Sequence, residues 1–198
     1  RKGGYAEYVS VPAANLIPIP IGGAFTYEKW AAFPLVFLTA WRMLVTRGEM
    51  KPGQTVLIQA AGSGIGQAAI QVAKFLGARI ITTAGTVAKC RKAAKLGAHE
   101  TINYSKGDFS KTARELTGGK GVDIVFEHVG ASTFPGSIAS LKKGGRIVTI
   151  ASKHWQNSNN KKEIQFKNWI NEIGAEVIEI EAGKFKESGT AIATVIII

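Results

Sequence analysis

The stretch Ala60-Ala61-Gly62-Ser63-Gly64-Ile65-Gly66 carries the clearest chemistry in the sequence. It lies between a continuous apolar run over residues 55–60 and a stretch over 64–76 whose apolar residues Ile65, Ala68, Ala69, Val72 and Leu76 share one helical face. Glycines between a strand and a helix let the backbone turn tightly, approach a ligand closely and seat the helix on the sheet. The unpaired N–H groups at the helix start then face an anion such as a diphosphate. The usual G-x-G-x-x-G spacing is met only in part: with Gly66 as the last glycine, Ala61 and Ser63 fill the first two positions. The strand–turn–helix setting favours a nucleotide site over a purely structural turn.

A second test lies at the end of the next strand, residues 79–83. An Asp or Glu about 20 residues after the glycine loop would hold the ribose hydroxyl of NAD, yet no acidic residue stands between Arg79 and His99. The strand ends instead in Ala84-Gly85-Thr86, followed by Lys89, Arg91, Lys92 and Lys95. A small, uncharged strand end leaves room for a 2′-phosphate, and Lys89, one turn into the following helix, supplies charge to hold it. NADP(H) is therefore expected over NAD(H), while Lys92 and Lys95 read as a solvated helix face. The missing acid also weighs against a methyltransferase using S-adenosylmethionine, which shares the 62-64-66 glycine spacing but needs an acid there.

Positioning these residues requires alternating strands and helices. Helices are expected over 64–76, 86–96, 109–117 and 132–141, and strands over 55–60, 79–83, 101–103, 122–127 and 145–150. Such alternation specifies a doubly wound α/β Rossmann domain, a parallel sheet with helices on both faces. Before it, residues 4–11 read as one or two short strands. Residues 26–46 read as a helix in two pieces, broken at Pro34, with Leu35, Leu38, Met43 and Val45 on its apolar face. After it, 152–162 reads as an exposed polar loop, 175–180 and 193–198 as strands, and 184–188 as helix or turn. Val195 to Ile198 should pair inside a sheet or a subunit contact. The domains expected are 1–25, 26–152 and 153–198.

Composition narrows the class. The chain of 198 residues has 45% apolar and 20% charged residues, enough for a real core. Its formal charge is +11, from 25 Lys+Arg less 14 Asp+Glu. A lysine-rich surface explains most of that surplus, and five cations (Arg79, Lys89, Arg91, Lys92, Lys95) lie in the acid-free segment beside the expected adenosine site. No nucleic-acid-binding signature accompanies the charge. The most apolar stretch, 30–41, contains Pro34 and is too short for a membrane span. One cysteine, Cys90, and no export signal fit a reducing, cytoplasmic setting.

Several stretches in order resemble the medium-chain dehydrogenase/reductases, in their alcohol dehydrogenase and quinone oxidoreductase branches. They are residues 3–9 (Gly-Gly-Tyr-Ala-Glu-Tyr-Val), 33–41 (Phe-Pro-Leu-Val-Phe-Leu-Thr-Ala-Trp), 51–56 (Lys-Pro-Gly-Gln-Thr-Val), 61–66, 96–98 with 102–104, 118–123, 126–130 (Phe-Glu-His-Val-Gly) and 144–148. The resemblance implies hydride transfer between NADP(H) and an alcohol/carbonyl pair, an enone or a quinone. It implies that Gly62, Ser63, Gly64, Ile65 and Gly66 hold the diphosphate and that Gly85, Thr86, Lys89 and Tyr104 surround the 2′-phosphate. His128, Val129, Gly130, Ile150 and Ala151 would line the nicotinamide side. Thr39 matches a threonine beside the nicotinamide, its alternative being a helix residue bonded back to a carbonyl. Self-association through the Rossmann domain is also implied.

The departures bear on mechanism. Family members begin with a GroES-like β-barrel that carries zinc ligands and most of the substrate pocket, of which residues 1–25 would be a remnant. Where zinc-dependent relatives place a further ligand, four residues before the threonine, stands Leu35. His99, His128 and His154 have no ligand spacing and Cys90 lies in a helix, so no zinc site is supported by this sequence. The leading reading is the cofactor-binding domain of an NADP(H)-dependent oxidoreductase. Its alternative is a non-catalytic dinucleotide-binding module or subunit.

Overall fold

The computed structural model describes residues 6–20, 22–23, 25–180 and 194–197. Two compact units form, one from residues 1–32 with 151–197, the other from residues 33–150.

Helix α1 (Tyr27–Trp41) leads into the second unit and runs unbroken through Pro34 before widening into a π-helical segment over Arg42–Arg47. The break expected at Pro34 does not occur. A proline removes one N–H and pushes on the preceding turn, but neighbouring bonds and the burial of Ala40, Met43 and Leu44 just beyond keep the axis continuous. The expected apolar face is shifted as well. Met43 is fully buried and Leu44 joins it, whereas Leu35 and Leu38 are 68% and 61% exposed.

From there the chain alternates as the sequence requires: β1 (Thr55–Ile58), α2 (Gly64–Phe75), β2 (Arg79–Ala84), α3 (Val87–Leu96), β3 (Glu100–Asn103), α4 (Phe109–Leu116), β4 (Val122–Glu127), α5 (Phe134–Ala139) and β5 (Leu141–Ser152). The strands pair in parallel in the order β3-β2-β1-β4-β5, with Val56 opposite both Ile80 and Ile124. The Rossmann expectation is borne out. Strands β1, β2 and β4 are apolar and buried because helices cover both faces. Side-chain caps start the helices: Ser63 accepts from Gly66 N–H, Thr86 from Lys89 N–H and Asp108 from Ser110 N–H. Gly97, at φ 119°, ends α3 in a conformation few other residues adopt. Cys90 is buried on α3. The last strand starts four residues before the expected 145, with a register shift between Val122 and Ile124.

In the unit of 1–32 and 151–197, residues 6–11 are exposed and form no strand, contrary to expectation, and Ala13–Asn15 makes one helical turn. The loop expected over 152–162 is partly ordered into a short helix at Lys153–Gln156 with Trp155 buried. An unforeseen helix, α6 (Lys161–Glu172), packs Ile170, Phe166 and Trp169 with Trp155, Ala175 and Val177. Strand β6 (Val177–Ile180) pairs antiparallel with β7 (Thr194–Ile197), so the terminal apolar run has a sheet partner. The element expected over 184–188 lies outside the described residues.

Candidate dinucleotide-binding site

The strand order reverses direction between β1 and β4, and in an open α/β sheet the crevice at the carboxyl ends of those strands is where ligands bind. The glycine loop forms one lip. Ala60 sits at φ 49°, an unusual value for a residue with a side chain. Its carbonyl accepts from Ser63 N–H and Ser63 Oγ, both at 2.9 Å. Gly66 explains its own identity, since a Cβ there would stand 2.5 Å from the Ala60 carbonyl oxygen. Gly62 and Gly64 are exposed, Ser63 and Ile65 half-buried, so the start of α2 is open. The Val36 side chain of α1 stands 3.3 Å from where a Gly64 Cβ would lie.

The expected 2′-phosphate residues gather at the end of β2. The stem of Lys89 lies across Gly62, its Cδ 3.1 Å and its Cε 3.5 Å from a would-be Cβ. The Tyr104 hydroxyl would be 2.7 Å from a Cβ at Gly85, so the ring lies against the open face of that glycine. Ser105 Oγ donates to the Gly85 carbonyl at 2.9 Å. Thr86, Lys89 and Tyr104 are all exposed. Arg79 does not belong with them. It begins β2, at the opposite end of the strand, and donates to the Leu116 carbonyl at 2.9 Å, a structural task.

The second lip follows β4. His128 Nε2 and Ser63 Oγ are 2.9 Å apart, joining the lips directly. Gly66 N–H already donates to Ser63 Oγ, and the hydroxyl hydrogen has the Ala60 carbonyl as its acceptor. With Nε2–H as the donor to Ser63, Nδ1 is a bare lone pair, and Nδ1 is indeed buried without a partner. Burial lowers the His128 pKa below its ordinary 6.5, against the pull of the neighbouring Glu127 charge. Val129 is exposed and Gly130, at φ 101°, half-buried. Thr39 is half-buried and its hydroxyl donates to the Leu35 carbonyl at 2.7 Å, the helix back-bond. Ile150 ends this unit; Ala151, next on β5, falls in the other unit with its side chain outside the described residues.

The expectation from the sequence overlooked the layer beneath. Glu127 is fully buried, and its carboxylate accepts from Val129 N–H at 2.7 Å, Gly130 N–H at 3.1 Å, Thr133 Oγ1 at 2.9 Å and Ser137 Oγ at 2.5 Å. Gln59, Thr83 and Ser137 are buried beside it. A polar residue within an apolar strand, as in Thr-Val-Leu-Ile-Gln and Val-Asp-Ile-Val-Phe-Glu, was the available signal.

Among the described residues, no three His, Cys, Asp or Glu side chains stand together as metal ligands. His99 Nδ1 accepts from Ile80 N–H, Cys90 is buried in its helix, and the His154 side chain lies outside the described residues. This donor set does not fit zinc. Among the described residues no helix is long and apolar enough to cross a membrane.

A sequence profile described as zinc-binding dehydrogenase matches residues 64–180. The chain is 40% identical over 143 residues to a 2-haloacrylate reductase of Burkholderia sp, covering 72% of this chain and 43% of that protein. A solved NAD-dependent alcohol dehydrogenase superposes with a TM-score of 0.70 at 45% identity, covering 84% of this chain and 48% of that one. The Escherichia coli quinone oxidoreductase, solved in complex with NADPH, gives a TM-score of 0.60 at 40% identity, covering 63% and 38%. The chain thus spans less than half the length of each of these relatives.

Proposed function

The chain belongs to the zinc-binding dehydrogenase family, and from that premise we propose that it is the dinucleotide-binding part of an NADP(H)-dependent oxidoreductase acting on a carbonyl/alcohol pair, an enone or a quinone. The observation that carries the reading is the pairing of Lys89 with Gly62 and of Tyr104 with Gly85, at a strand end without an acid. The relatives do not speak with one voice, since one is NAD-dependent and another was solved with NADPH. The choice of NADP(H) therefore rests on this chain's own cations.

The residues fit the group. Open N–H groups at the start of α2 suit a diphosphate, and Gly62, Ser63, Gly64 and Ile65 would hold it, with Gly66 allowing the close approach. Thr86, Lys89 and Tyr104 would hold a 2′-phosphate. His128, Val129, Gly130 and Ile150 would line the nicotinamide side with Thr39. The bound nicotinamide supplies the hydride chemistry; the protein binds it, orients it and limits water. The Nε2–H of His128 is held by Ser63, so in this reading His128 fixes the glycine loop against the second lip. Self-association through this domain belongs to the same reading, and sedimentation velocity of the chain checks it.

Titration with NADPH and NADH tests the proposal. NADPH should bind more tightly, and Lys89→Ala should weaken NADPH by about tenfold, as for loss of one charge-assisted bond, while leaving NADH nearly unchanged. Equal affinities in the unaltered chain would defeat the 2′-phosphate assignment. A second reading, nucleotide binding without turnover, is favoured by Thr39, whose hydroxyl hydrogen is committed to Leu35. NADPH oxidation assayed with small aldehydes, enones and quinones separates the two.

A further inference from the structure

Beneath the two lips runs a single file of buried hydrogen bonds. Ala60 N–H donates to Thr83 Oγ1 at 3.1 Å, Thr83 Oγ1–H to Gln59 Oε1 at 2.6 Å, and Gln59 Nε2–H to Ser137 Oγ at 2.9 Å. Ser137 Oγ–H then donates to Glu127 Oε2 at 2.5 Å. The far oxygen of Glu127 holds the N–H groups of Val129 and Gly130. The file crosses from β2 past the end of β1 and through α5 to the end of β4, and Thr83, Gln59, Ser137 and Glu127 are each 0% exposed.

Its direction is fixed at both ends. A backbone N–H can only donate and a carboxylate can only accept, so every hydroxyl and amide between them must accept on one side and donate on the other. Head-to-tail bonds of this kind reinforce one another in a medium of low dielectric. We propose that Glu127 is a positioning residue for the loop 128–130 and that, through Ser137, Gln59 and Thr83, it is coupled to Ala60 at the start of the glycine loop. One buried file thereby sets both lips of the crevice. The consequence for cofactor binding rests on the function proposed above; the coupling itself does not.

Glu127→Gln keeps the shape of the side chain and changes only its donors and acceptors. If the new amide oxygen keeps the Val129 and Gly130 N–H groups, its NH2 faces Ser137 and Thr133, and the Thr133 hydroxyl can turn to the Gly130 carbonyl while Ser137 cannot. Ser137 then receives donors from both sides and its own hydrogen loses its acceptor. The conflict is relieved by turning the Gln59 amide over, which presents NH2 to Thr83 Oγ1, where Ala60 N–H already donates. The disturbance therefore travels the length of the file.

Amide hydrogen exchange on the 198-residue chain without nucleotide reads this directly. Glu127→Gln should accelerate exchange about tenfold at Ala60 as well as at Val129 and Gly130. Thr83→Val, at the other end, should do the same at Val129 and Gly130. Changes confined to the neighbours of each substituted residue would overturn the coupling. Near-UV circular dichroism checks that each variant is folded, and Ser137→Ala, a smaller change, must show the same two-ended pattern. In NADPH titration, Glu127→Gln and Thr83→Val should each raise Kd about tenfold, and together they should raise it little further. Full additivity would mean two independent local effects. An unaltered chain that binds neither nucleotide would sink the functional reading, while exchange at Ala60 would still decide the coupling.

Discussion

Gly66 and Ala60 meet backbone to backbone, and the contact leaves no space for a methyl group. A Cβ on Gly66 would stand 2.5 Å from the Ala60 oxygen. Ala60 cannot retreat, since its N–H is held by Thr83 and its carbonyl by Ser63. Gly66→Ala should destabilise the fold by about 1–3 kcal/mol, as overpacked sites do, seen as a lower urea midpoint. His128 gives a prediction with a sign. Burial disfavours its charged form in the native state, so the unfolded chain binds more protons as pH falls through the ordinary value of 6.5. Stability should therefore fall on acidification from pH 7.5 to 5.5, by no more than about 1.4 kcal/mol per pH unit from this one group. His128→Gln should flatten that part of the profile; an unchanged slope in urea unfolding would contradict it.

At the level of elements, Asp123 ties three strands at the end of the sheet away from the crevice. It accepts from Thr55 N–H on β1 at 2.7 Å and pairs with Lys142 on β5. Burial pushes its pKa up, but the Lys142 ammonium and the Thr55 N–H outweigh that and hold it below 3.8. Asp123→Ala leaves a half-buried N–H without its acceptor and should lower stability by about 1–3 kcal/mol at pH 7. The stabilisation is present above the unfolded-state value and disappears as pH falls through the lowered one, so the gap between wild type and variant at pH 7 should narrow as pH is taken below 3.8. Urea unfolding at the two pH values checks this. Strands β1, β2 and β4 were legible because each is a short run, largely apolar, between turn residues, and β3 and β5 followed from the alternation with helices. Helix α1 was legible as a helix but not its continuity, since a proline argues locally for a break that packing beyond it overrides. Nor was α6: Phe166, Trp169 and Ile170 have helical spacing, but Asn- and Lys-rich sequence before them disguises it. The glycine loop, Lys89 and Tyr104 were readable in local spacing or family order. The file from Ala60 to Glu127 was not, because its partners lie as far as 78 residues apart.

Across the whole molecule, the surplus of +11 divides by task. Arg79 and Arg114 donate to carbonyl groups, and Lys142 and Arg146 pair with Asp123 and Glu49. These cations fasten elements together; the two ion pairs are neutral as pairs, while Arg79 and Arg114 keep their charge beside neutral carbonyls. The cation that stands beside the glycine loop is Lys89. Raising NaCl from about 50 to about 500 mM shortens the screening length and should weaken NADPH more than NADH; parallel losses in titration would count against a phosphate contact there. The same helix provides an internal probe. Cys90, the next residue after Lys89, is the only thiol in the chain and is buried. A thiol-specific reagent can reach it only when α3 opens, so the labelling rate is a clock on the breathing of the cofactor-side helix, and an occupied crevice should make that clock run slow.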